Sequence, residues 1–160
     1  MEFFNSNGEK RGMKRDLYEG GIRVPMIACR PGSVPAGKVN KSIVAFQDLL
    51  PTAAELCGVE CPDTDGMSMM NRLNGEKLDD IERTLYWEFG EKGGKQAVLK
   101  GNYKLVRLLK GKERYELYDV EKDPSEKTDI ISRLPELAEE LKLEMKSIPD
   151  SRSAFKESAK

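Results

Sequence analysis

Histidine, the most common general acid or base near neutral pH, is absent from this sequence of 160 residues. Acid–base chemistry carried by this chain would therefore depend on carboxylates or lysines with shifted pKa values. The three cysteines are an odd set without a partner histidine, a composition that argues against a zinc site. Cys29 lies in an apolar run, which predicts a small buried side chain. Cys57 and Cys61 could pair in an oxidising compartment, but free thiols are favoured.

An excess of one charge and long apolar runs are also missing. Lys and Arg total 27 against 28 Asp and Glu, which leaves a formal net charge of −1. No field of one sign is available to recruit nucleic acid or an anionic membrane, so we expect neither partner. No apolar run approaches the ~20 residues that cross a bilayer. Residues 1–5 lack the basic and then apolar pattern of a signal peptide, so the localisation is unknown from composition.

The first part of the chain predicts a strand followed by a helix. Ile22–Arg30 is mostly apolar over the length of one strand, which predicts a strand buried on both faces. Pro25 within it favours an edge position or a bulge. Helical spacing begins at Phe46 and ends at Gly58, and Pro51 leaves two alternatives: a helix that begins near Pro51, or two short helical pieces that meet there. This pair of elements is part of an α/β layer and not a complete fold.

The second part of the chain predicts an antiparallel sheet and a helix. Aromatic and aliphatic segments separated by glycine-containing turns predict a four-stranded meander over residues 83–91, 95–100, 103–109 and 114–120. From Pro135 to Ile148, apolar residues recur on one side, which predicts an amphipathic helix that covers one sheet face. The predicted fold class is α+β: a remnant strand and helix of an α/β domain, followed by a four-stranded antiparallel sheet packed on a C-terminal helix.

The most specific pattern is the stretch GMKRDLYEGGIRVP at residues 12–25. It closely resembles the lysine-bearing segment of the type I (arylsulfatase-like) sulfatases. Two further stretches, Val44–Gly58 and Glu116–Glu126, carry the same resemblance, which therefore spans most of the chain. The resemblance implies the carboxy-terminal portion of a sulfatase that hydrolyses sulfate esters of a carbohydrate. It also implies a periplasmic or secreted location for a full-length member.

Three residues are predicted to contact substrate. Lys14 occupies the position of the family's sulfate-contacting lysine, and an ammonium can meet a sulfate oxygen and stabilise charge on the leaving oxygen. From spacing alone, a solvated cation among other basic residues would be the favoured interpretation of Lys14, and the Tyr-Glu-Gly-Gly continuation favours the functional one. The Gly-Gly-Lys-Gln-Ala stretch resembles sulfatase carboxy-terminal domains, and this resemblance makes Lys95 and Gln96 candidate substrate-binding residues.

Other parts of the family's active site are missing from the chain. The resemblance implies calcium and a formylglycine, made from a Cys-x-Pro-x-Arg segment, in a full-length member. None of the three cysteines has Pro and Arg at the required offsets. Ser6-Asn7-Gly8 stands where the family has the metal-binding Asp-Asn-Gly, so we predict no metal site and no cofactor in this chain, and no turnover by the chain alone.

The resemblance also predicts the domain organisation. Residues 1–62 would be the C-terminal end of the α/β domain, comprising loop, strand and helix, and residues 63–82 a linker with a short helix. Residues 83–150 would form the small sheet subdomain with its C-terminal helix, and residues 151–160 a disordered tail. The alternative function is a non-catalytic module for substrate recognition or assembly, able to self-associate through the exposed edge of the N-terminal strand.

Overall fold

The computed structural model describes residues 5–76 and 83–148. These residues form two compact units, which we describe separately. The sheet unit contains the described residues up to Val24 and those from position 83 onward, and the helix unit begins at Pro25. Within the described ranges, no helix is long and apolar enough to span a bilayer.

The sheet unit is built on an antiparallel meander in the order β1-β2-β3-β4. Its strands are β1 Thr84–Phe89, β2 Lys95–Lys100, β3 Tyr103–Leu108 and β4 Arg114–Asp119. Strands β2 and β3 are joined by a two-residue turn in which Gly101 has a φ of +56°, a conformation that glycine adopts without strain. The predicted α+β class, the four strands and their antiparallel order are confirmed.

One helix covers a face of this sheet. It spans Pro135–Ser147 and is named α4, with proline in its first turn, where the missing N–H leaves no hydrogen bond unmade. Its side chains pack on residues of β2, β3 and β4, and the buried cluster comprises Val98, Leu105, Leu117, Ala138, Leu141 and Met145. The amphipathic pattern therefore predicted both the helix and the face that it buries.

The helix unit contains two short helices. A 3-10 turn at Phe46–Asp48 leads directly into α2, Leu49–Cys57, so two helical pieces meet and Pro51 lies in the first turn of the second. Gly58 ends α2 in the left-handed region, with a φ of +66°. A further turn of helix, α3, spans Met70–Leu73.

Asp48 and Thr52 attach the polar connection after α2 to that helix. The buried Asp48 carboxylate accepts hydrogen bonds from Ala45 N at 2.7 Å and Met67 N at 3.0 Å. The Thr52 hydroxyl accepts one from Met69 N at 2.8 Å. Two buried side chains thus hold the polar connection against α2.

The predicted strand over Ile22–Arg30 is wrong. Its first residue ends a single helical turn, α1, at Glu19–Ile22, and the residues that follow form no strand. Ile27 is 95% exposed, and Cys29 is exposed although it was predicted to be buried. A strand needs a neighbour for its backbone hydrogen bonds, and none of the four strands described in the structure pairs with this segment. The strand edge predicted to mediate self-association is therefore not present in this form.

The compact units do not follow the predicted domain boundaries. The N-terminal loop belongs with the sheet, because its side chains bond to β3, β4 and the connection after β4. The predicted division at residues 62 and 82 remains a prediction about the family's domains. The predicted tail at 151–160, the end of the subdomain at 149–150 and linker residues 77–82 lie outside the described residues.

Candidate functional site

The loop before α1 is held by close backbone contacts that require glycine. Gly20 N donates a hydrogen bond to Arg11 O at 2.7 Å. A Cβ atom on Gly20 would lie 2.5 Å from Gly12 O, and one on Gly21 would lie 2.2 Å from Asp16 O. Both distances are far below van der Waals contact, so the diglycine allows the loop to fold back on α1.

Lys14 lies at the exposed tip of this loop, which we call the Lys14 loop. The turn around it is closed by a hydrogen bond from Asp16 N to Met13 O at 2.8 Å. Its neighbours are tied to the sheet unit, since Arg15 pairs with Glu91 at 3.3 Å and the Asp16 carboxylate accepts a hydrogen bond from the Lys95 ammonium. Among the residues that the structure describes, no side chain lies within hydrogen-bond or ion-pair distance of the Lys14 ammonium.

Tyr18 anchors the loop through a partly buried polar network. Its hydroxyl donates to Glu116 Oε2 at 2.6 Å, and Tyr118 donates to the same oxygen at 2.9 Å. The Arg11 guanidinium lies 3.8 Å from the centre of the Tyr18 ring and donates to the Tyr118 hydroxyl at 2.7 Å. Burial, followed by the hydrogen bond to Glu116, raises the pKa of Tyr18 well above its ordinary value. Tyr18 therefore stays neutral and serves as scaffold.

Glu19 anchors the same loop through buried charge. Its Oε1 lies 2.9 Å from Lys104 Nζ, and its Oε2 lies 3.1 Å from Arg23 Nη1. Lys104 also pairs with Glu126, with Nζ and Oε1 2.6 Å apart. Glu126 Oε2 accepts a hydrogen bond from Glu19 N at 2.6 Å. Two carboxylates and two cations thus compensate one another at the base of the Lys14 loop.

The structure separates the two other predicted site residues. Lys95, at the start of β2, lines an open cleft of about 720 Å³ and reaches the Lys14 loop through Asp16. Gln96 is only 2% exposed and does not line this cleft. Its Oε1 accepts a hydrogen bond from Arg107 Nη1 at 2.8 Å. Lys95 is thus bonded to the loop that carries Lys14 through the Asp16 carboxylate, whereas Gln96 is hydrogen-bonded to Arg107.

Sequence reasoning missed most of the cleft lining. The remaining lining residues are Arg11, Tyr18, Gly94, Leu108, Lys110, Lys112, Glu113 and Arg114. In the sequence, the Lys110-Gly111-Lys112 turn between β3 and β4 was a sign of this lining, but the turn was interpreted only as the end of a strand. Its position beside Lys95 follows from the register of β2 on β3, which composition does not specify.

The Ser6-Asn7-Gly8 turn does not supply a calcium site. The Asn7 amide nitrogen donates to Gly12 O at 2.7 Å, so that side chain serves the loop. No group of three or more potential metal-ligating side chains occurs within the described ranges. Calcium takes six or more oxygen ligands, several of them carboxylates. The residues present therefore do not fit a resident calcium ion without ligands from elsewhere.

Comparison with known proteins gives consistent matches. The family model described as N-sulphoglucosamine sulphohydrolase, C-terminal, matches residues 8–151. Arylsulfatase K of Xenopus laevis is 28% identical over 149 residues, which cover 86% of this chain and 28% of that protein. A sulfatase of Formosa agariphila is 31% identical over 147 residues, which cover 81% of this chain and 26% of that protein.

Solved structures agree with these matches. The crystal structure of Ps i-CgsB in complex with k-i-k-neocarrahexaose superposes with a TM-score of 0.71 and 30% identity, over 81% of this chain and 29% of that one. Among the relatives found by sequence, an N-acetylglucosamine-6-O-sulfatase of Bacteroides thetaiotaomicron is 27% identical, over 90% of this chain and 27% of its own length. The chain therefore spans less than a third of each of these relatives.

Proposed function

Because this chain belongs to the sulfatase family, as a C-terminal portion of it, we propose that it takes part in hydrolysing sulfate esters of carbohydrates, with Lys14 contacting the sulfate group. The proposal rests on the structure of the loop that carries Lys14. Polar contacts, a buried ion pair and two sterically required glycines hold this loop in place, while the Lys14 ammonium stays exposed. A loop held this firmly around a free cation is suited to binding an anion.

The chemistry proposed for Lys14 is electrostatic. An ammonium is a compact charge that can meet one sulfate oxygen and stabilise the negative charge that develops as the ester bond breaks. Glu91 and Lys95 hold the side chains of the next two residues, Arg15 and Asp16, so the loop that carries Lys14 needs little reorganisation when substrate binds. We propose that Lys95 contacts the same substrate from the neighbouring cleft. A role for Gln96 would act through Arg107, on which its amide is held.

Carbohydrate sulfate as the substrate class is supported by the relatives. The Bacteroides relative is an N-acetylglucosamine-6-O-sulfatase, and Ps i-CgsB was crystallised with a neocarrahexaose. In a full-length member, calcium and formylglycine would come from parts of the protein that this chain does not contain. The residues of this chain would bind and orient the sulfate, and those groups would supply the nucleophilic attack.

The test is substitution of Lys14 in the longest protein that the gene encodes. In that protein, Lys14→Ala should lower kcat/KM for a sulfate ester by about a hundredfold or more, the usual effect of removing a group that stabilises transition-state charge. Lys10→Ala removes the same charge from the same loop and should have little effect. Equal rates in the Lys14→Ala variant and the wild type would refute the role of Lys14.

A second measurement concerns the 160-residue chain alone. We expect no turnover of a colorimetric sulfate ester, because the chain has no Cys-x-Pro-x-Arg segment. Metal-dependent activity of the purified chain would contradict this expectation. Reading the coding DNA upstream of Met1 for such a segment would show whether the gene encodes the missing groups.

An assembly function is the second candidate, and the exposed apolar residues of the helix unit favour it. Ile27, Val39 and Phe46 are 95%, 88% and 78% exposed. Large apolar side chains left exposed on one unit can mark a contact surface. We propose that they contact a second copy of this chain or the remainder of a sulfatase. Size-exclusion chromatography with light scattering tests self-association: a concentration-independent monomer would count against it, and dimers lost on Phe46→Ser would support it.

A further inference from the structure

The open cleft beside Lys95 has a second group of cations that the proposed function does not use. We name it the β3–β4 cleft, because Leu108, Lys110, Lys112, Glu113 and Arg114 of the β3–β4 hairpin line one side of it. Gly94 and Lys95 come from the start of β2, and Arg11 and Tyr18 from the N-terminal loop. Five of these nine lining residues are lysine or arginine, although the whole chain has a net charge of −1.

The carboxylates around the cleft are already engaged. Asp16 binds Lys95, and Glu113 Oε1 lies 3.1 Å from Arg107 Nε. Glu116, between two arginines, lies 3.4 Å from Arg11 and 3.5 Å from Arg114.

Lys110 and Lys112 are exposed and differ from the other cations of the cleft. Within the described ranges, neither ammonium has a carboxylate within ion-pair distance. The cleft therefore keeps an excess of positive charge that no neighbouring carboxylate neutralises.

The position of this charge is fixed by backbone packing. Leu109 N donates a hydrogen bond to Gly94 O at 3.1 Å, which ties the β3–β4 connection to the turn before β2. A Cβ atom on Gly93 would lie 2.6 Å from Lys110 Cβ, so the Lys110 stem packs directly on a glycine with a φ of +93°. A side chain larger than hydrogen at position 93 would displace Lys110. The base of this lysine is thus held in place.

We propose that the β3–β4 cleft binds an additional sulfate group of a sulfated oligosaccharide, separate from the ester that is hydrolysed, through Lys110, Lys112 and Arg114. The inference rests on the proposed function, because that function makes a sulfated sugar the polyanion that this chain meets. Sulfate remains ionised at neutral pH, and the arginine fork can hold two of its oxygens while each ammonium meets one. A volume of about 720 Å³ is within the range of pockets that bind small ligands.

Nucleic acid is the competing polyanion, and the cleft is less suited to it. Proteins that bind single strands stack bases on open aromatic faces. The one aromatic residue of the lining is Tyr18, and the Arg11 guanidinium lies 3.8 Å from its ring centre. The ring face is therefore already covered. A polyanion would therefore bind to this cleft through charge alone, and the separate sulfate groups of a sugar can bind in that way.

The test is the affinity of the 160-residue chain for two labelled hexasaccharides, measured by fluorescence anisotropy. One is a sulfated carrageenan hexasaccharide and the other is the neutral agarohexaose. The sulfated probe should bind at least tenfold more tightly, and Lys110→Ala/Lys112→Ala should reduce its affinity at least tenfold. The control Lys122→Ala/Lys127→Ala removes two lysines that are 80% and 69% exposed and should change the affinity less than twofold.

Several results would overturn the proposal. Unchanged affinity in the Lys110→Ala/Lys112→Ala variant, with an unchanged circular dichroism spectrum, would do so. Equal binding of the neutral hexasaccharide, or tighter binding of an oligothymidylate of equal charge, would also contradict it. Lys14→Ala separates this proposal from the proposed function: kcat/KM in the longer protein should fall about a hundredfold or more, whereas hexasaccharide affinity should fall less than in Lys110→Ala/Lys112→Ala. If Lys14→Ala alone removed the binding, the cleft would not be the site.

Discussion

Lys104 and Glu126 form an ion pair that is completely buried, with Nζ and Oε1 2.6 Å apart and no exposed surface on either side chain. Lys104 extends from β3, and Glu126 follows β4 in the left-handed region, with a φ of +51°. Glu19 completes the group from the N-terminal loop. This buried ionic cluster therefore joins three parts of the sheet unit: β3, the connection after β4, and the Lys14 loop.

The first prediction is that Lys104→Met strongly destabilises the chain. The substitution would leave the carboxylates of Glu19 and Glu126 buried without the cation between them. Removing one partner of a buried ion pair typically costs about 3–5 kcal/mol. We expect this loss in the free energy of unfolding, measured by urea denaturation of the 160-residue chain.

Lys100→Met is the matched control for this substitution. Lys100 lies on β2 and pairs with Glu140 and Glu144, but its side chain is 29% exposed. Surface ion pairs contribute little to stability, so the control should lose much less stability than Lys104→Met. Similar losses in the two variants would show that burial does not distinguish these two lysines.

The second prediction concerns pH and Glu126. Burial raises the pKa of Glu126 above its reference value of 4.5, although Lys104 acts in the opposite direction. The folded chain therefore holds this proton more tightly than the unfolded chain. The contribution of Glu126 to stability is complete below pH 4.5 and is lost as pH rises through the raised pKa.

Glu126→Gln isolates this contribution, because it removes the titrating group and retains the shape. Between pH 4.5 and neutral pH, the free energy of unfolding of the wild type should fall relative to that of Glu126→Gln. Denaturant midpoints of both proteins in the same buffers provide the measurement. A difference that is independent of pH, or that increases toward neutral pH in favour of the wild type, would contradict the prediction.

The sheet and α4 could be predicted because their signals are local. Alternating apolar residues and glycine turns specify each strand, and Leu141 and Met145 recur with the period of a helix. The strand predicted over Ile22–Arg30 failed for the opposite reason. An apolar run indicates that residues can be buried, but a strand also requires a neighbouring strand, which no local pattern reveals.

The candidate site could likewise be predicted only in part. The resemblance supplied Lys14 as a candidate. The partners of Glu19 could not be predicted, because Lys104 and Glu126 lie 85 and 107 residues away in sequence. The cations of the β3–β4 cleft other than Lys95 were also missed, since only strand register brings Lys110 beside Gly93.

The third prediction tests the diglycine. A Cβ atom on Gly21 would lie 2.2 Å from Asp16 O, so Gly21→Ala forces the loop away from α1. Overpacking of this kind typically costs about 1–3 kcal/mol. Hydrogen exchange of the Gly20 amide, which donates to Arg11 O, should accelerate about tenfold or more, since 1.4 kcal/mol corresponds to a factor of ten.

Gly37→Ala is the control for Gly21→Ala. Gly37 also has a positive φ, +67°, but a Cβ atom there would meet nothing within 4 Å. Any strain from the new side chain would stay within that turn of the helix unit. Exchange at Gly20 should therefore be unchanged in Gly37→Ala, and equal acceleration in both variants would rule out the steric explanation.

The fourth prediction is that Tyr18→Phe weakens the attachment of the Lys14 loop. The substitution removes the 2.6 Å hydrogen bond to Glu116, which keeps its bond from Tyr118. Hydrogen bonds to charged groups contribute about 1.5–3 kcal/mol, and the loss should be near the lower value because Glu116 remains partly satisfied. Tyr103→Phe, on β3, is the control: no hydrogen bond of its hydroxyl is found among the described residues, so its stability should change little. Thermal denaturation of both variants decides the matter, and equal melting temperatures would mean that the Tyr18 hydroxyl does not hold the loop.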